Sequence, residues 1–329
     1  MRFKLPWMMR NRGLLNLDDP LATYIPEFAN AIPRKGDLKD VTLRRMLCHR
    51  SGLMGGAPTG GVFWDSHIWP DMSEILEVIP QIEVSIEPGS AFKYSNLAFG
   101  LLGEVISRVS GQAYEKFIAS EILEPLGLES TAFEPNAELK SRIATGYQHM
   151  TYEDVPDETP FPSLGGQVAM SQLYTTVEDL ARWIVIHLGP AEGEPESEVL
   201  SARSRVEMQR PAYIEEDWSA GYALPWMMHR ANDDTIRGRG GAMHGYGSDI
   251  SFIAGRRIGV IALFDRMLDL KEISSSIFEI VSEAEDTAIA LEPNKKLSPT
   301  PPELKEYLGL YHGTFQITWT VEFREDALR

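Results

Sequence analysis

A chain of 329 residues, 43% hydrophobic and carrying a net charge of −17, is long enough for one large domain or two and has the composition of a globular protein. The acidic balance repels nucleic acid and anionic surfaces at long range, which excludes nucleic acid as an expected partner. Cys48 is the sole cysteine, so intramolecular disulfides and thiolate metal clusters are excluded. No apolar run approaches the ~18 residues of a membrane span, the first ten residues are too short an apolar run for a signal peptide, and a cytoplasmic location is the expectation.

In chain order, Thr42 is a suitable N-cap for a short helix through Cys48, ended by Ser51-Gly52. Adjacent helical residues diverge by about 100°, so Cys48 and His49 do not form a reactive pair, and Cys48 reads as a small buried residue. The turn Glu87-Pro88-Gly89 leads through Tyr94-Ser95-Asn96 into an apolar helix that ends at Gly111. A second helix carries Tyr114, Phe117, Ile118, Ile122 and Leu123, and stops near residues 125–127. Thr175-x-x-Glu178 reads as a capping box for a third, with Leu180, Trp183, Ile184 and His187 at helical spacing.

Strand patterns dominate later, over 221–228, then 249–254 with Ile250, Phe252 and Ala254 alternating, then 258–264. They read as antiparallel neighbours, with a helix over 271–291 covering one face. Residues 292–302, rich in proline, read as a linker, and 303–329 as a further β segment too short to close a barrel. Two loops, 55–70 with Trp64, His67 and Trp69 and the acidic stretch 151–160, are candidate substrate-selecting rims. The remaining histidines are scattered and make no metal site, no cofactor is indicated, and a Gly-x-Ser-x-Gly elbow is missing.

Tyr94 and Asn96 put a phenol, a plausible general base, beside a carboxamide able to hold a carbonyl or an ammonium. Around them the chain resembles the serine β-lactamase and penicillin-binding-protein family, in the branch with class C β-lactamases, D-amino-acid peptidases and serine esterases. The resemblance is carried by Leu17-Asp18-Asp19-Pro20, by the segment 41–53 ending in His49-Arg50-Ser51-Gly52-Leu53, and by Tyr94-Ser95-Asn96. It continues through Glu124-Pro125-Leu126-Gly127-Leu128, Thr176-Val177-Glu178-Asp179-Leu180 and Gly240-Gly241-Ala242-Met243-His244-Gly245-Tyr246. It implies an antiparallel sheet flanked by helices, an α/β fold with an all-helical region, over residues 1–291. Residues 303–329 match the start of an appended small β-barrel, hence a truncated C-terminal β segment.

The resemblance also implies acyl-enzyme chemistry on a small-molecule or short-peptide acyl substrate, such as an ester, an amide, a D-peptide or a β-lactam. Its three motifs are Ser-x-x-Lys, Tyr-x-Asn and Lys-Thr-Gly. Tyr94 and Asn96 match the second. The third falls on Arg239-Gly240-Gly241, with Ala242 N–H matching an oxyanion donor; an alternative register uses His244-Gly245. Arginine stays charged and fits a carboxylate, so Arg239 suits anchoring an anion rather than moving a proton. Counting back from Gly13 places the family serine ahead of Met1. Ser90 and Lys93 have the Ser-x-x-Lys spacing but follow Pro88-Gly89, where an extended backbone points them apart. The chain as written is therefore expected to bind better than it reacts. Three readings stay open: a hydrolase seen without its nucleophile segment, a non-catalytic ligand-binding relative, and an interaction module using its acidic surface. Oligomeric state is not legible.

Overall fold

The computed structural model describes residues 9–58, 69–148, 157–159, 164–217, 219–231, 234–243, 245–266 and 271–291, with 309–312, 318–321, 323–324 and 327–328 near the C-terminus. The chain divides into two compact units, Met1–Ser275 and Ser276–Arg329.

In the first unit, β1 (Ile32–Pro33) pairs in parallel with β2 (Glu83–Val84), and β3 (Tyr147–Gln148) pairs antiparallel with β4 (Asp157–Glu158). The main sheet is antiparallel throughout. It comprises β5 (Tyr213–Ile214), β6 (Ala220–Tyr222), β7 (Met227–Ala231), β8 (Asp234–Met243), β9 (Tyr246–Ile253) and β10 (Ile258–Phe264), in spatial order β10-β9-β8-β7-β6-β5. The stretch 221–228, read above as one strand, is instead the end of β6, a turn and the start of β7. Pro225 has no N–H to give to a ladder, and Ala223 N–H closes the turn onto Trp226 C=O at 2.7 Å.

Helices flank this sheet. The short α1 (Leu43–Leu47) starts on Thr42, whose hydroxyl accepts from Arg45 N–H. α2 (Met72–Glu77) carries a capping box between Asp71 and Glu74. The long α3 (Asn96–Ser110) buries nine of its fifteen residues and ends at Gly111, left-handed at φ 72°. α4 (Tyr114–Ile118) runs into a wider π-type turn over Ala119–Leu123.

α5 (Ala137–Lys140) is a single turn, and α6 (Val177–Leu188) is capped by Thr176, one residue later than the Thr175 box predicts. Tertiary contacts decide the difference. The Asp179 carboxylate is drawn inward to accept from Ser130 N–H and the Thr131 hydroxyl, while Thr175 shares its hydroxyl with Thr131. α7 (Ala202–Gln209) follows, and α8 (Lys271–Leu291) spans the boundary between the units.

The sheet is covered on both faces. On one, Ile184 of α6 packs with Ala223, Trp226, Met228 and Phe252, with Ile250 and Ala254 alongside. A Cβ at Gly259 would come within 2.6 Å of Ile184 Cγ2, so glycine there allows helix and sheet to touch. On the other face, Asp249 is buried and accepts from the Ser251 and Ser274 hydroxyls at 2.7 Å each, so the first turn of α8 docks through a satisfied polar cluster.

In the second unit, β11 (Gly309–His312) pairs antiparallel with β12 (Thr318–Val321), and β13 (Phe323–Arg324) with β14 (Ala327–Leu328). The expected linker 292–302 lies outside the described residues.

Candidate active site

Ser95 organises the Tyr94 to Asn96 segment. Its hydroxyl accepts from Ala98 N–H at 3.0 Å and donates to Met54 C=O at 2.7 Å, while its N–H donates to His49 Nδ1 at 3.1 Å. The side chain is fully buried. Because Ser95 caps α3, the Asn96 carboxamide is not spent on that task. Asn96 is the first residue of α3, half-buried, with its N–H on Gly55 C=O at 2.8 Å. Tyr94, in extended chain ahead of the cap, is 49% exposed, so a ligand can reach the phenol.

Across from it, β8 carries Arg239. Its guanidinium carbon lies 5.7 Å from the Tyr94 ring centroid and 5.5 Å from that of Phe99, both in cation–π range. Nη1 donates to Tyr222 Oη at 2.5 Å. Tyr222 is buried, which pushes its phenol pKa up, although the Arg239 charge works in the opposite direction. Gly240, Gly241 and Ala242 are exposed. Pairing explains this: β7 reaches β8 only as far as Gly238, opposite Met227, whereas β9 continues to Met243. Residues 239–243 therefore present one strand edge that no described strand covers.

The residue that joins these parts is His49, to which the sequence assigns no role beyond its place in the 41–53 segment. It is buried and left-handed at φ 55°, with its ring centroid 4.4 Å from Tyr94, 5.0 Å from Phe99 and 5.5 Å from Tyr222. Its Nε2 lies 3.2 Å from Arg239 Nη2. A neutral imidazole has one acceptor nitrogen. Ser95 N–H is directed at Nδ1, so the buried ring is held between the start of α3 and the Arg239 guanidinium.

Ser90 and Lys93 do not form a helical pair. Ser90 lies in a turn, its N–H and hydroxyl both donating to Glu87 C=O at 3.1 and 2.7 Å, and the chain stays irregular until Asn96. Cys48 is buried, donates to main-chain carbonyls of α1, and has its thiol pKa pushed up to about 11 by burial. It is a core residue. His244 and most of the two expected rims, 59–68 and 151–156, lie outside the described residues. Among the described residues no cluster of His, Cys, Asp and Glu could hold a metal, and no helix is long and apolar enough to cross a membrane.

Comparison with known proteins identifies the family. The family model for beta-lactamase matches residues 8–276, most of the chain. The chain belongs to the beta-lactamase family. Beta-lactamase-like protein 2 of Dictyostelium discoideum is 27% identical over 265 residues, covering 78% of this chain and 46% of that protein. The D-alanyl-D-alanine-carboxypeptidase/endopeptidase AmpH of Escherichia coli is 26% identical over 178 residues, covering 54% of this chain and 44% of that one. Thus the chain spans less than half the length of these two relatives. In fold, it is similar to the octameric penicillin-binding protein homologue of Pyrococcus abyssi, with a TM-score of 0.68, 24% identity, and coverage of 99% of this chain and 73% of that one. The α/β architecture expected from the sequence is that of the beta-lactamase family, within the lineage of beta-lactamase and penicillin-binding-protein hydrolases.

Proposed function

We propose that the wall formed by Tyr94, Asn96, Arg239 and the 240–242 edge is the acyl-ligand site of a serine hydrolase lineage, and that this chain binds such ligands without forming an acyl-enzyme on Ser90. The supporting observation is the convergence of Tyr94 and Arg239 on His49 beside an uncovered strand edge. An ester, amide or D-peptide lying along that edge would find the Ala242 N–H aimed at its carbonyl oxygen. Its carboxylate would meet the Arg239 guanidinium, whose planar fork suits a carboxylate. Tyr94 is the group reachable for proton transfer. The similarity to a carboxypeptidase favours peptides ending in a free carboxylate as the ligand class.

Ser90 is not a nucleophile in this reading, because its hydroxyl is committed to the Glu87 carbonyl and Lys93 shares no helix face with it. Intact-mass analysis after incubation with a fluorophosphonate or penicillin probe tests this. The expected spectrum is that of the unmodified chain; a stable adduct on any serine would overturn it. In parallel, Tyr94→Phe is expected to leave the thermal midpoint nearly unchanged, as exposed substitutions do, while weakening a D-Ala-D-Ala peptide about tenfold in titration. Loss of both together would refute a functional role for the phenol.

A further inference from the structure

A cavity of about 950 Å³ opens between α1 and α7, lined by five arginines (Arg44, Arg45, Arg50, Arg203 and Arg210) and one carboxylate, Glu207. That concentration is unexpected in a chain of net charge −17. It arises in part from helical spacing: Arg203, Val206 and Glu207 recur at i, i+3 and i+4, so one face of α7 looks into the cavity, and Arg210 follows as its extended C-cap. Opposite, α1 contributes Arg44 and Arg45, and Arg50 follows its end.

Some of these charges are already occupied. Arg44 is forked onto Asp18 at 2.7 and 2.9 Å, Arg45 faces Asp40 at 3.4 Å, and Glu207 is bound by Arg10 with Arg44 at 3.6 Å. Others are not. The Arg50 guanidinium donates to the Gly89 carbonyl and lies 4.5 Å over the Tyr213 ring, and neither Arg203 nor Arg210 has a carboxylate partner among the described residues. Three guanidinium groups therefore line the cavity without an ion-pair partner among the described residues, the Glu207 carboxylate being taken by Arg10 and Arg44. Ala202 and Arg203 also form the first turn of α7, whose N–H groups and dipole favour an anion. The Cys48 thiol in the wall stays neutral and does not oppose one.

We propose that this groove binds a small molecule bearing two or more linked phosphates. Planar guanidinium forks match phosphoryl oxygens bidentately, and three of them separated across a cavity of this size suit linked phosphates better than a single one. At physiological salt the Debye length is about 8 Å, so the local cluster, rather than the distant acidic surface, sets the field a bound ligand meets. The site is separate from the cleft and does not depend on the function proposed for it, although Cys48 and Arg50 in its wall flank His49.

The test is titration calorimetry of the full chain at 150 mM salt with tripolyphosphate, orthophosphate and citrate. Arg203→Ala/Arg210→Ala is compared with Lys116→Ala/Lys140→Ala, which removes equal charge at exposed positions away from the groove. Tripolyphosphate is expected to bind the parent chain, at least tenfold more tightly than orthophosphate or citrate, and at least tenfold more weakly to the arginine double variant, with the lysine variant unchanged. The proposal is overturned if tripolyphosphate does not bind, if the two double variants weaken it equally, or if citrate binds as tightly.

Discussion

Whether Arg239 is a ligand anchor or part of the scaffold can be decided by its bond to Tyr222. Tyr222 is 3% exposed, its ring stacks on Tyr213 at 5.9 Å and 13° and packs on Phe92 at 5.3 Å, and its hydroxyl accepts from the guanidinium at 2.5 Å. Tyr222→Phe keeps the ring contacts and removes only the acceptor. A hydrogen bond to a charged group contributes about 1.5–3 kcal/mol, and at about 2–4 °C per kcal/mol for a unit of this size the thermal midpoint should fall by roughly 3–12 °C. Arg239→Met should cost at least as much, because it strands a buried hydroxyl. In a double-mutant cycle followed by urea unfolding, the two changes should be non-additive by about 1–3 kcal/mol. Additivity to within about 0.5 kcal/mol would show that the bond carries no stability, leaving the guanidinium free to serve a ligand alone.

Two further outcomes follow from the fold. A Cβ at Gly52, with φ +75°, would lie 2.0 Å from the Ile86 carbonyl oxygen, while Gly13, at φ +72°, has open space around it. Gly52→Ala should therefore cost more than about 3 kcal/mol and Gly13→Ala only about 1 kcal/mol in urea unfolding; equal costs would mean the turn after His49 can shift freely. Acid should destabilise the fold through Asp18, held below the usual carboxylate range chiefly by its hydrogen bond to Arg44, and Glu196, held low by Arg205. Their folded pKa values lie below the unfolded ones, so between the two the unfolded chain binds more protons. The contribution is whole above the ordinary carboxylate pKa and is lost as pH falls through the folded value. Asp18→Asn/Glu196→Gln should flatten the thermal midpoint between pH 5 and 3, and an unchanged slope would refute these two pairs as its source.

What the sequence made legible was what is coded locally. Thr42 caps α1 as expected and Gly111 ends α3, because an N-cap oxygen and a left-handed glycine act within one turn of chain. The 258–264 strand was legible from its continuous apolar run, of which Val260 and Ala262 are buried. The single strand over 221–228 failed because Pro225 was read through rather than taken as a break. The Thr175 box failed because Asp179, the residue that fixes the true cap, is held by partners from the 130–131 segment that no local pattern reveals.

The residues of the proposed site were nameable one by one, but not the contact that brings them together. Tyr94, Asn96 and Arg239 could be named from motif spacing, but His49 could not, since its role depends on a left-handed backbone and on Arg239, 190 residues away. The same turn fixes where its neighbours go. With Lys93 N–H on His49 C=O and Gly89 N–H on Arg50 C=O, both at 2.7 Å, the 49–50 segment is stitched to the chain that carries Tyr94, and Arg50 is directed to the far side. One left-handed residue thus divides consecutive side chains between the cleft and the arginine groove, so a substitution at His49 should disturb both, whereas changes at Arg203 or Tyr94 should disturb one each. Reversal of that pattern would mean the two proposed sites are not joined through this turn.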